Sequence, residues 1–559
     1  MPSLSSTPST TLSSVYLHPT PQSILTSLDA QFTLPPALLT DLTHAFLREI
    51  NLGLKAYGED MAMVPSFITG VPDGSETGTF LALDLGGTNL RVCQVTLNGD
   101  KTFKLRQQKY KVSEGLKTGE AGVLFDYLAD SVDAFLTMHP PESPPLSPLD
   151  PSPTSPLDVL PLGLTFSFPV EQTALGAGTI LTWTKGFSAK NAIGHDVVRL
   201  LQDAFDRKHL HVRCVALVND TVGAMLSRAY TSGGCILGAI FGTGTNGAYL
   251  ERVENIPKLT LANPSFTENT ENTGYMVVNT EWGAFNNTRT HLPYTPFDTA
   301  LDRTSINPRA QAFEKFISGM YLGELTRGVL VALVDANKTP PTRRTKTHSL
   351  LFNGISTRVL NEKWALDTSV MSEVEEAWEA VDANDSGGLP DWEFLSGFDF
   401  TPTSTTPTTT NPSTTALANT NTKLRTKLER VRQVVVRRLG YEDGEVRLRD
   451  AAIVRWVCHL VARRAALLSG VAVAAVLIQT GRAGGTKKTD EEKIGVGVDG
   501  SLIQHYPHFE RTMRESLRSI VGAAVERRVE IGLAKDGSGV GAALCALQAL
   551  KQQQQPQPQ

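Results

Sequence analysis

Two aspartates occupy positions from which a carboxylate is able to act on a phosphate group. Asp220 follows the apolar run 215–218, and Asp84 directly precedes a glycine-rich turn. A carboxylate at a strand end is able to accept the proton of a hydroxyl whose oxygen attacks phosphorus. A carboxylate close to a phosphate is suited to hold Mg²⁺, directly or through water. The alternatives are a helix N-cap for Asp220 and an ordinary turn residue for Asp84.

Two turns rich in Gly and Thr are built alike. One covers residues 86–89 and the other covers residues 242–246, each flanked by apolar runs typical of strands. Glycine leaves backbone N–H groups bare, so two such turns are able to bind the same phosphate. The repeated hairpin predicts two similar halves that face each other across a cleft.

Two further glycine turns follow later in the chain. Asp499-Gly500-Ser501 comes after the apolar run 494–498, and residues 536–539 open the last predicted helix. Free N–H groups at a helix start favour an anion, although simple capping explains either turn alone. The sequence has no Walker A loop, and neither hairpin has the strand-to-helix context of a dinucleotide fingerprint. Both of those nucleotide-binding classes are therefore disfavoured.

Carboxylates beside apolar residues indicate a sugar site. Glu281 and Glu314 lie in such surroundings, and a hexose needs a fan of groups that donate to and accept from its hydroxyls. Trp183 and Trp282 are able to stack on a sugar ring, but core packing is the favoured interpretation for both.

The elements that must position these residues follow an α/β pattern. Short apolar strands alternate with longer helical segments such as 196–207 and 311–334. Low-complexity segments that cannot bury a core lie at 1–22, 139–161, 400–423 and 552–559. We expect the first and last of these to be disordered tails.

Composition narrows the classes of partner. The 559 residues are 41% hydrophobic, which is enough for two sizeable cores. With 52 Lys+Arg against 57 Asp+Glu, the net charge of −5 gives no reason to expect attraction to nucleic acid or to an anionic membrane.

Two features favour a cytoplasmic protein. The apolar stretch 465–478 is too short to cross a bilayer, and residues 1–14 lack the pattern of a secretory signal. The five cysteines are far apart, which fits a reducing compartment. We expect a buried helix at 465–478.

Several motifs together resemble the eukaryotic hexokinase family, and the details are most similar to the glucokinases of filamentous fungi. The resemblance extends from about residue 24 to 550. Its motifs are FLALDLGGTNLR at 80–91, LTFSFP at 164–169, TWTKGF at 182–187, LVNDTVG at 217–223, TEWGAFNN at 280–287 and VGVDGS at 496–501.

The resemblance implies an α/β, two-domain actin-like ATPase fold with a cleft between a small and a large domain. The small domain would comprise 77–220 and a C-terminal helix at 539–551, and the large domain 23–76 and 221–538. The implied activity is transfer of the γ-phosphate of ATP, with Mg²⁺, to the 6-hydroxyl of glucose, the first step of glycolysis. The implied partners are glucose, other hexoses and ATP, without nucleic acid or membrane, and we expect a monomer.

The resemblance also assigns roles. Asp220 would be the general base, and Lys185 would lie near the reacting hydroxyl. The glucose pocket would be lined by Ser167, Thr184, Lys185, Asn219, Asp220, Asn246, Glu281, Gln311 and Glu314. The nucleotide, with Mg²⁺ near Asp84, would be bound by Asp84, Gly86, Gly87, Thr88, Asn89, Arg91, Gly242, Thr243, Gly500, Ser501 and Gly539.

Some features depart from the family or leave alternatives open. Ala224 stands where the family usually has Thr, and we expect a modest effect. Residues 382–393 have the spacing of an EF-hand, but the following segment is too short for an exiting helix, so we expect no Ca²⁺ site. The alternative functions are a non-catalytic glucose sensor and a kinase of another sugar on the same fold.

Overall fold

The computed structural model describes most of the chain. The described residues are 20–87, 89–140, 159–184, 186–262, 274–336, 350–379, 412–484 and 492–554. They form two compact units. One contains the described residues of Met1–Thr33, Val329–Lys363 and Glu373–Leu460, and the other contains those of Leu34–Gly328, Trp364–Ser372 and Val461–Gln559. The division into a small and a large domain proposed from the sequence stays a prediction.

The described residues up to 317 form nine α-helices. They are α1 Pro21–Phe32, α2 Pro36–Lys55, α3 Glu114–Thr118, α4 Ala121–Met138, α5 Val197–Arg207, α6 Asp220–Ser232, α7 Pro257–Ala262, α8 Pro296–Thr304 and α9 Ala312–Ile317. The later helices are α10 Gly319–Asp335, α11 Arg358–Asn361, α12 Thr368–Glu379, α13 Pro412–Leu439, α14 Leu448–Gln479, α15 Ser501–His505, α16 Phe509–Val521, α17 Ala523–Arg528 and α18 Gly537–Gln554. Short 3₁₀ helices cover Val253–Asn255, Trp282–Ala284 and Phe352–Gly354.

The strands belong to three sheets. They are β1 Val64–Pro65, β2 Thr77–Leu85, β3 Asn89–Asn98, β4 Phe103–Lys111, β5 Leu160–Phe166, β6 Val170–Ala174, β7 Ala177–Ile180, β8 Val212–Val218, β9 Leu237–Phe241, β10 Thr245–Arg252, β11 Tyr275–Asn279, β12 Ile494–Asp499 and β13 Val529–Leu533. The strand orders are β4-β3-β2-β5-β8, β1-β11-β10-β9-β12-β13 and β6-β7.

The two large sheets repeat one topology. In the first, an antiparallel β2–β3 hairpin is extended by β4 on one side and by parallel β5 and β8 on the other. In the second, the antiparallel β9–β10 hairpin is extended by β11 and by parallel β12 and β13. The two similar halves predicted from the repeated glycine hairpins are therefore present.

Helices α6 and α18 lie between these sheets. Helix α6 packs on β9, β10 and β12, whereas α18 packs on β2, β5 and β8 and also against α6. The two helices meet through small residues. A Cβ on Gly537 would lie 2.9 Å from the Cα of Ala224, and one on Gly223 would lie 2.7 Å from the Gly537 oxygen. Close approach of the helix backbones therefore depends on glycine at this crossing.

Local sequence signals explain where these elements begin and end. Helix α6 starts at an N-cap, Asn219, whose side chain accepts from the Thr221 N–H, and it ends at Gly233 with φ of 84°. Helix α8 begins with a capping box in which Thr295 and Asp298 bond each other's backbone N–H groups.

The helical segment predicted at 311–334 is interrupted. Helix α9 ends before Ser318, which is extended, and α10 starts at the next residue. The reason is tertiary, because the N–H groups of Gly319 and Met320 bond the carbonyls of Gly242 and Thr243 instead of continuing the helix. The break thereby fixes the second glycine turn.

The predicted limits of the low-complexity segments also need correction. Helix α1 begins at Pro21 because the side chain of Thr20 caps it, and α18 continues to Gln554, as glutamine is a good helix former. Helix α13 begins at Pro412, inside the segment 400–423. The EF-hand-like residues 382–393 lie outside the described residues.

Helix α14 is long and apolar enough to cross a membrane by length and composition alone. However, 89% of its most apolar window is buried inside the protein. A core helix passes the same test, and the buried helix expected at 465–478 is confirmed as part of α14. All five cysteines are buried and free of disulfide bonds.

Candidate active site

Asp84 stands at the end of β2 in a row of residues that crosses three strands. The register places Asp84 opposite Thr165 of β5, and Thr165 opposite Val218 of β8. Neighbouring strands lie about 4.8 Å apart, so the backbones of Asp84 and Val218 are separated by about 10 Å. Asp220 comes two residues after Val218 and therefore lies at the same edge of the sheet as the first glycine turn.

The carboxylate of Asp84 is buried and is held by side chains of β3 and α18. The guanidinium of Arg91 lies 3.1 Å away, and the hydroxyl of Ser538 donates a hydrogen bond of 2.8 Å. The hydroxyl of Thr165 in turn donates to the Ser538 carbonyl. The start of α18 is thereby fixed to the strand that carries the first glycine turn.

Asp220 is the first residue of α6 and is half-buried. Its Oδ1 accepts hydrogen bonds from the N–H and the hydroxyl of Thr221, at 2.8 and 3.2 Å. The N-cap itself is Asn219, so the capping interpretation of Asp220 is only partly correct. No described residue bonds Oδ2 of Asp220, which leaves that oxygen to accept a proton.

The second glycine turn is in direct backbone contact with the turn after β12. A Cβ on Gly500 would lie 2.5 Å from the Phe241 carbonyl, and one on Gly242 would lie 2.9 Å from the Gly500 Cα. Gly500 has φ of 112°, which side chains rarely allow. Gly242 and Gly500, which belong to turns far apart in the sequence, thus form one surface of backbone without side chains.

Several carboxylates act on one another at this edge of the two sheets. Burial raises the pKa of Asp499, and the charges of Asp220 and Asp536 raise it further, while the Gly500 N–H and Arg91 lower it. A region with this many carboxylates favours binding of a cation together with an anionic ligand. Among the described residues, no three His, Cys, Asp or Glu side chains form a cluster able to hold a metal ion. The residues therefore fit a magnesium ion held largely by nucleotide phosphates and water, with Asp84 beside it.

A fan of amides and carboxylates lies on the side of β10. The Nδ2 of Asn246 donates to Asn279 Oδ1 at 2.8 Å and to Glu281 Oε1 at 3.3 Å. Asn279 also donates to the same oxygen of Glu281, at 2.7 Å. Asn246 and Glu281 were predicted to line one pocket, and the structure brings their side chains together.

Glu314 joins this group from α9. Its Oε2 accepts the Thr245 N–H at 3.0 Å, so it lies against the second glycine turn. Gln311 precedes α9, and its side-chain oxygen lies against Gly283. Glu281 and Gln311 both have positive φ, 54° and 52°, which is uncommon for residues other than glycine. Such backbone strain tends to occur at functional sites.

The remaining predicted residues are placed as follows. Ser167 is half-buried directly after β5, and Thr184 is exposed. Gly86, Gly87 and Asn89 form the first turn, where the Gly86 N–H bonds the Asn89 carbonyl. Thr243 and Ser501 are exposed. Lys185 and Thr88 lie outside the described residues.

Gly539 differs from its expected surroundings. Gly539 lies in the first turn of α18 and is buried, and a Cβ there would lie 3.4 Å from Cys93 Sγ of β3. Ser538, one residue earlier, is the residue that contacts Asp84. The nucleotide contact of Gly539 stays a prediction.

The core-packing interpretation of both tryptophans is supported. Trp282 is fully buried and donates to Thr245 Oγ1 at 3.0 Å. Trp183 packs among Phe166, Phe168 and Phe187, and its N–H bonds a backbone carbonyl.

Sequence reasoning missed four polar residues of this site. Thr165 and Ser538 lie within or beside motifs that had been noted, but nothing local links them to Asp84. Asn279 and Thr245 flank predicted sugar residues, and their polar side chains inside apolar strands were the available signal.

The chain matches the hexokinase family in two consecutive parts. Two family profiles described as hexokinase match residues 24–230 and residues 236–386 with 398–548. The chain is 38% identical to a glucokinase of Aspergillus niger over 539 residues, covering 94% of this chain and 96% of that protein. It is 36% identical to hexokinase-2 of Schizosaccharomyces pombe, covering 95% and 98% of the two chains.

Solved structures agree with the sequence relatives. A hexokinase from Schistosoma mansoni complexed with glucose superposes with a TM-score of 0.70 at 30% identity, covering 94% of this chain and 99% of that one. A second hexokinase crystal structure gives a TM-score of 0.69 at 28% identity, covering 95% and 99%. The fold is therefore the actin-like ATPase fold of hexokinases, as expected.

Proposed function

The chain belongs to the eukaryotic hexokinase family, and on that premise we propose that it phosphorylates glucose at the 6-hydroxyl. Family membership makes the protein a hexose kinase that uses ATP. The choice of glucose, the position on the sugar and the roles of single residues are the proposal. The observation that carries it is the row Asp84–Thr165–Val218, which sets Asp220 beside the first glycine turn.

Asp220 is proposed to act as the general base. Its Oδ1 is held by Thr221, which fixes the carboxylate. In the proposed complex Oδ2 is the oxygen that accepts the proton of the sugar hydroxyl. The oxygen attacks the γ-phosphorus as its proton passes to Asp220, and ADP leaves in line. General-base catalysis is worth about 10²–10⁴-fold in rate. Lys185 is proposed to stabilise charge on the transferred phosphoryl group.

The sugar is proposed to bind between Asp220 and the fan on β10. Asn246 donates to Glu281, and Glu314 is held by the Thr245 N–H, so these donors and acceptors already have fixed positions. A site arranged in this way rejects sugars whose hydroxyls leave its polar groups unpaired. Discrimination between glucose and other hexoses thus depends on the side chains of Asn246, Glu281 and Glu314.

The nucleotide is proposed to bind where the glycine turns meet. The turns at Gly86 and Gly242, together with Gly500, present backbone without side chains, which phosphate oxygens are able to approach closely. Asp84 would help hold the magnesium ion, which neutralises phosphate charge when bound. Arg91, paired with Asp84, adds positive charge at the same place.

The test of the substrate is a panel of sugars at fixed ATP. Glucose is expected to give ADP and glucose 6-phosphate, with the phosphate position identified by ³¹P and ¹³C NMR. 6-Deoxyglucose, which lacks the attacking oxygen, serves as the matched control and should give no product. Faster turnover of another hexose would contradict the substrate, and binding of glucose without ADP formation would favour the sensor alternative.

Two broader statements follow from the proposed reaction. Glucose 6-phosphate formation places the enzyme at the entry of glycolysis, which takes place in the cytoplasm. The five buried free cysteines are compatible with that reducing compartment. Fractionation of cells that express the tagged full chain would test the location.

A further inference from the structure

Helix α2 forms the back wall of the proposed sugar site. The ring of Phe46 packs against Trp282, Phe285 and Phe313, with ring centroids 6.2, 4.5 and 5.5 Å apart. Trp282 follows Glu281 directly, Phe285 comes three residues later, and Phe313 precedes Glu314. One face of α2 therefore supports both proposed sugar carboxylates from behind.

Glu49 lies three residues after Phe46 on α2. Both oxygens of its carboxylate accept the backbone N–H of Asn286, at 3.2 and 3.1 Å. Asn286 is fully buried and has φ of 59°. Its side-chain oxygen accepts the N–H groups of His291 and Leu292, so Asn286 holds the whole turn closed. Glu49 thus accepts a hydrogen bond from Asn286, the residue that keeps the turn at 286–292 closed.

Asn287 connects the same turn to α9. Its Nδ2 donates to Asp60 Oδ1 at 3.1 Å, and its Oδ1 accepts the Ala312 N–H at 3.0 Å. Ala312 follows Gln311, whose positive φ orients its side chain. On the other side, the Ala284 N–H bonds the Glu281 carbonyl. Displacement of Asn286 would therefore move Glu281 on one side of the turn and Gln311 on the other, and both are proposed sugar residues.

Glu49 lines a cavity of about 260 Å³ together with the charged residues Glu59, Asp60 and Arg48. Burial raises the pKa of Glu49 to about 7, and the charges of Asp60 and Glu59 add to this, while the Asn286 N–H and Arg48 oppose it. His291 lines the same cavity.

Two other helices pack against α2, and their charged groups bond partners other than Glu49. The Lys258 ammonium of α7 bonds the carbonyls of Gly53 and Ala62. On α16, Arg514 and Arg518 pair with Glu526.

We propose that Glu49 is a positioning residue that couples the affinity for the sugar to proton concentration near neutrality, by holding the turn at Asn286. The proposal rests on the proposed function, since it takes Glu281, Gln311 and Glu314 as sugar ligands. An ionised carboxylate is a stronger hydrogen-bond acceptor than a protonated one. The turn is therefore held more firmly when Glu49 is ionised, and sugar binds more tightly at pH 8 than at pH 6.

Linkage requires the reverse effect as well. If ionisation of Glu49 favours sugar binding, sugar binding must favour ionisation of Glu49 and release a proton. Near pH 7, binding should release a fraction of a proton per site. A neutral sugar such as glucose does not itself titrate in this range, so the proton comes from the protein.

The experiment is calorimetric titration of the full chain with glucose at pH 6, 7 and 8. At pH 7 it is repeated in two buffers of different ionisation enthalpy. The wild type should bind glucose roughly threefold to tenfold more weakly at pH 6 than at pH 8, with proton release at pH 7. Glu49→Gln keeps an acceptor oxygen but cannot titrate. It should bind at every pH about as weakly as the wild type does at pH 6, without that proton release.

Glu59→Gln is the matched control. Glu59 lines the same cavity and accepts no hydrogen bond from the described part of the chain. This variant should keep a pH-dependent affinity and proton release, displaced slightly to lower pH because the charge of Glu59 no longer raises the pKa of Glu49. The value of kcat at saturating sugar should be nearly unchanged in both variants, because neither residue touches the reacting atoms.

Three outcomes would overturn the proposal. They are a wild type whose glucose affinity does not vary with pH, a wild type that releases no proton at pH 7, and a Glu49→Gln variant with the wild-type pH dependence. The first two need no variant, so poor folding of Glu49→Gln cannot protect the proposal. Affinity independent of pH would leave the kinase assignment intact. Binding that depends on pH but leads to no phosphoryl transfer would contradict the proposed function alone.

Discussion

The hydroxyl of Ser538 donates a 2.8 Å hydrogen bond to the carboxylate of Asp84, although 454 residues separate them in the chain. Asp84 ends the strand that leads into the first glycine turn, and Ser538 lies in the first turn of the last helix. The N-terminal and C-terminal parts of the fold therefore meet at the proposed phosphate site.

Replacement of Ser538 should impair use of the nucleotide more than use of the sugar. Ser538→Ala removes one of the side chains that hold the buried Asp84 carboxylate, and a hydrogen bond to a charged group is worth about 1.5–3 kcal/mol. We expect kcat/KM for ATP to fall roughly tenfold or more, with little change in glucose binding. Ser232→Ala, at an exposed serine at the end of α6, is the control for steady-state kinetics. An equal loss for both substrates would contradict the role given to this contact.

Gly500 is expected to tolerate no side chain. A Cβ there would lie 2.5 Å from the Phe241 carbonyl, so Gly500→Ala must separate the two turns that form the proposed nucleotide surface. Gly522 has a similar backbone conformation, φ of 85° and ψ of 157°, but open space around its Cβ position. Gly522→Ala therefore measures the backbone strain alone, about 1 kcal/mol.

The measurement is the melting temperature together with the KM for ATP. Gly500→Ala should lower the melting temperature and raise the KM for ATP, in both cases by more than Gly522→Ala does. Equal effects of the two substitutions would show that contact between the turns is unimportant.

Arg464 and Asp298 form a buried ion pair that should dominate local stability. Arg464 is fully buried and makes two hydrogen bonds to Asp298, at 2.9 and 2.7 Å. Arg464→Met leaves the Asp298 carboxylate uncompensated, which costs about 3–5 kcal/mol. Arg358→Met breaks an exposed pair with Glu362 and should change stability by less than about 0.5 kcal/mol. Urea unfolding of both variants would check the contrast, and similar losses would refute it.

Glu49 should also make stability depend on pH with a definite sign. Its pKa is raised from 4.5 to about 7 by the fold, so the folded state binds more protons than the unfolded state between those values. Stability contributed by this group is therefore complete below about pH 4.5 and is lost as pH rises to about 7. Glu49→Gln should melt higher than the wild type at pH 8, and this advantage should shrink as pH falls towards 4.5. A variant that melts lower at pH 8 would contradict the sign.

The sequence predicted those parts of the site that depend on local chemistry. Both glycine hairpins, the strand before Asp220 and the helix after it are present because turn residues, apolar runs and an Asn N-cap act over a few residues. The repeated hairpin was sufficient to predict two similar halves, since each sheet is built outward from its own hairpin.

Contacts between distant segments could not be predicted in this way. The break at Ser318 arises from hydrogen bonds of Gly319 and Met320 to the carbonyls of Gly242 and Thr243. The Ser318-Gly319 pair is a weak local turn signal that does not specify this contact. The same holds for Glu49, which resembles any helical glutamate until the fold places Asn286 against it. The roles of Lys185 and Thr88 stay predictions that rest on the family resemblance.

Turnover by Asp220→Asn tests the central claim most directly. The amide keeps the shape of the side chain and its contacts with Thr221, but it cannot accept the proton of the sugar hydroxyl. We predict that kcat falls by about 10²–10⁴-fold while calorimetry still detects glucose binding. Asp196→Asn, which changes a helix-capping aspartate on α5, is the control and should keep normal turnover. Near-normal kcat in Asp220→Asn would contradict the account.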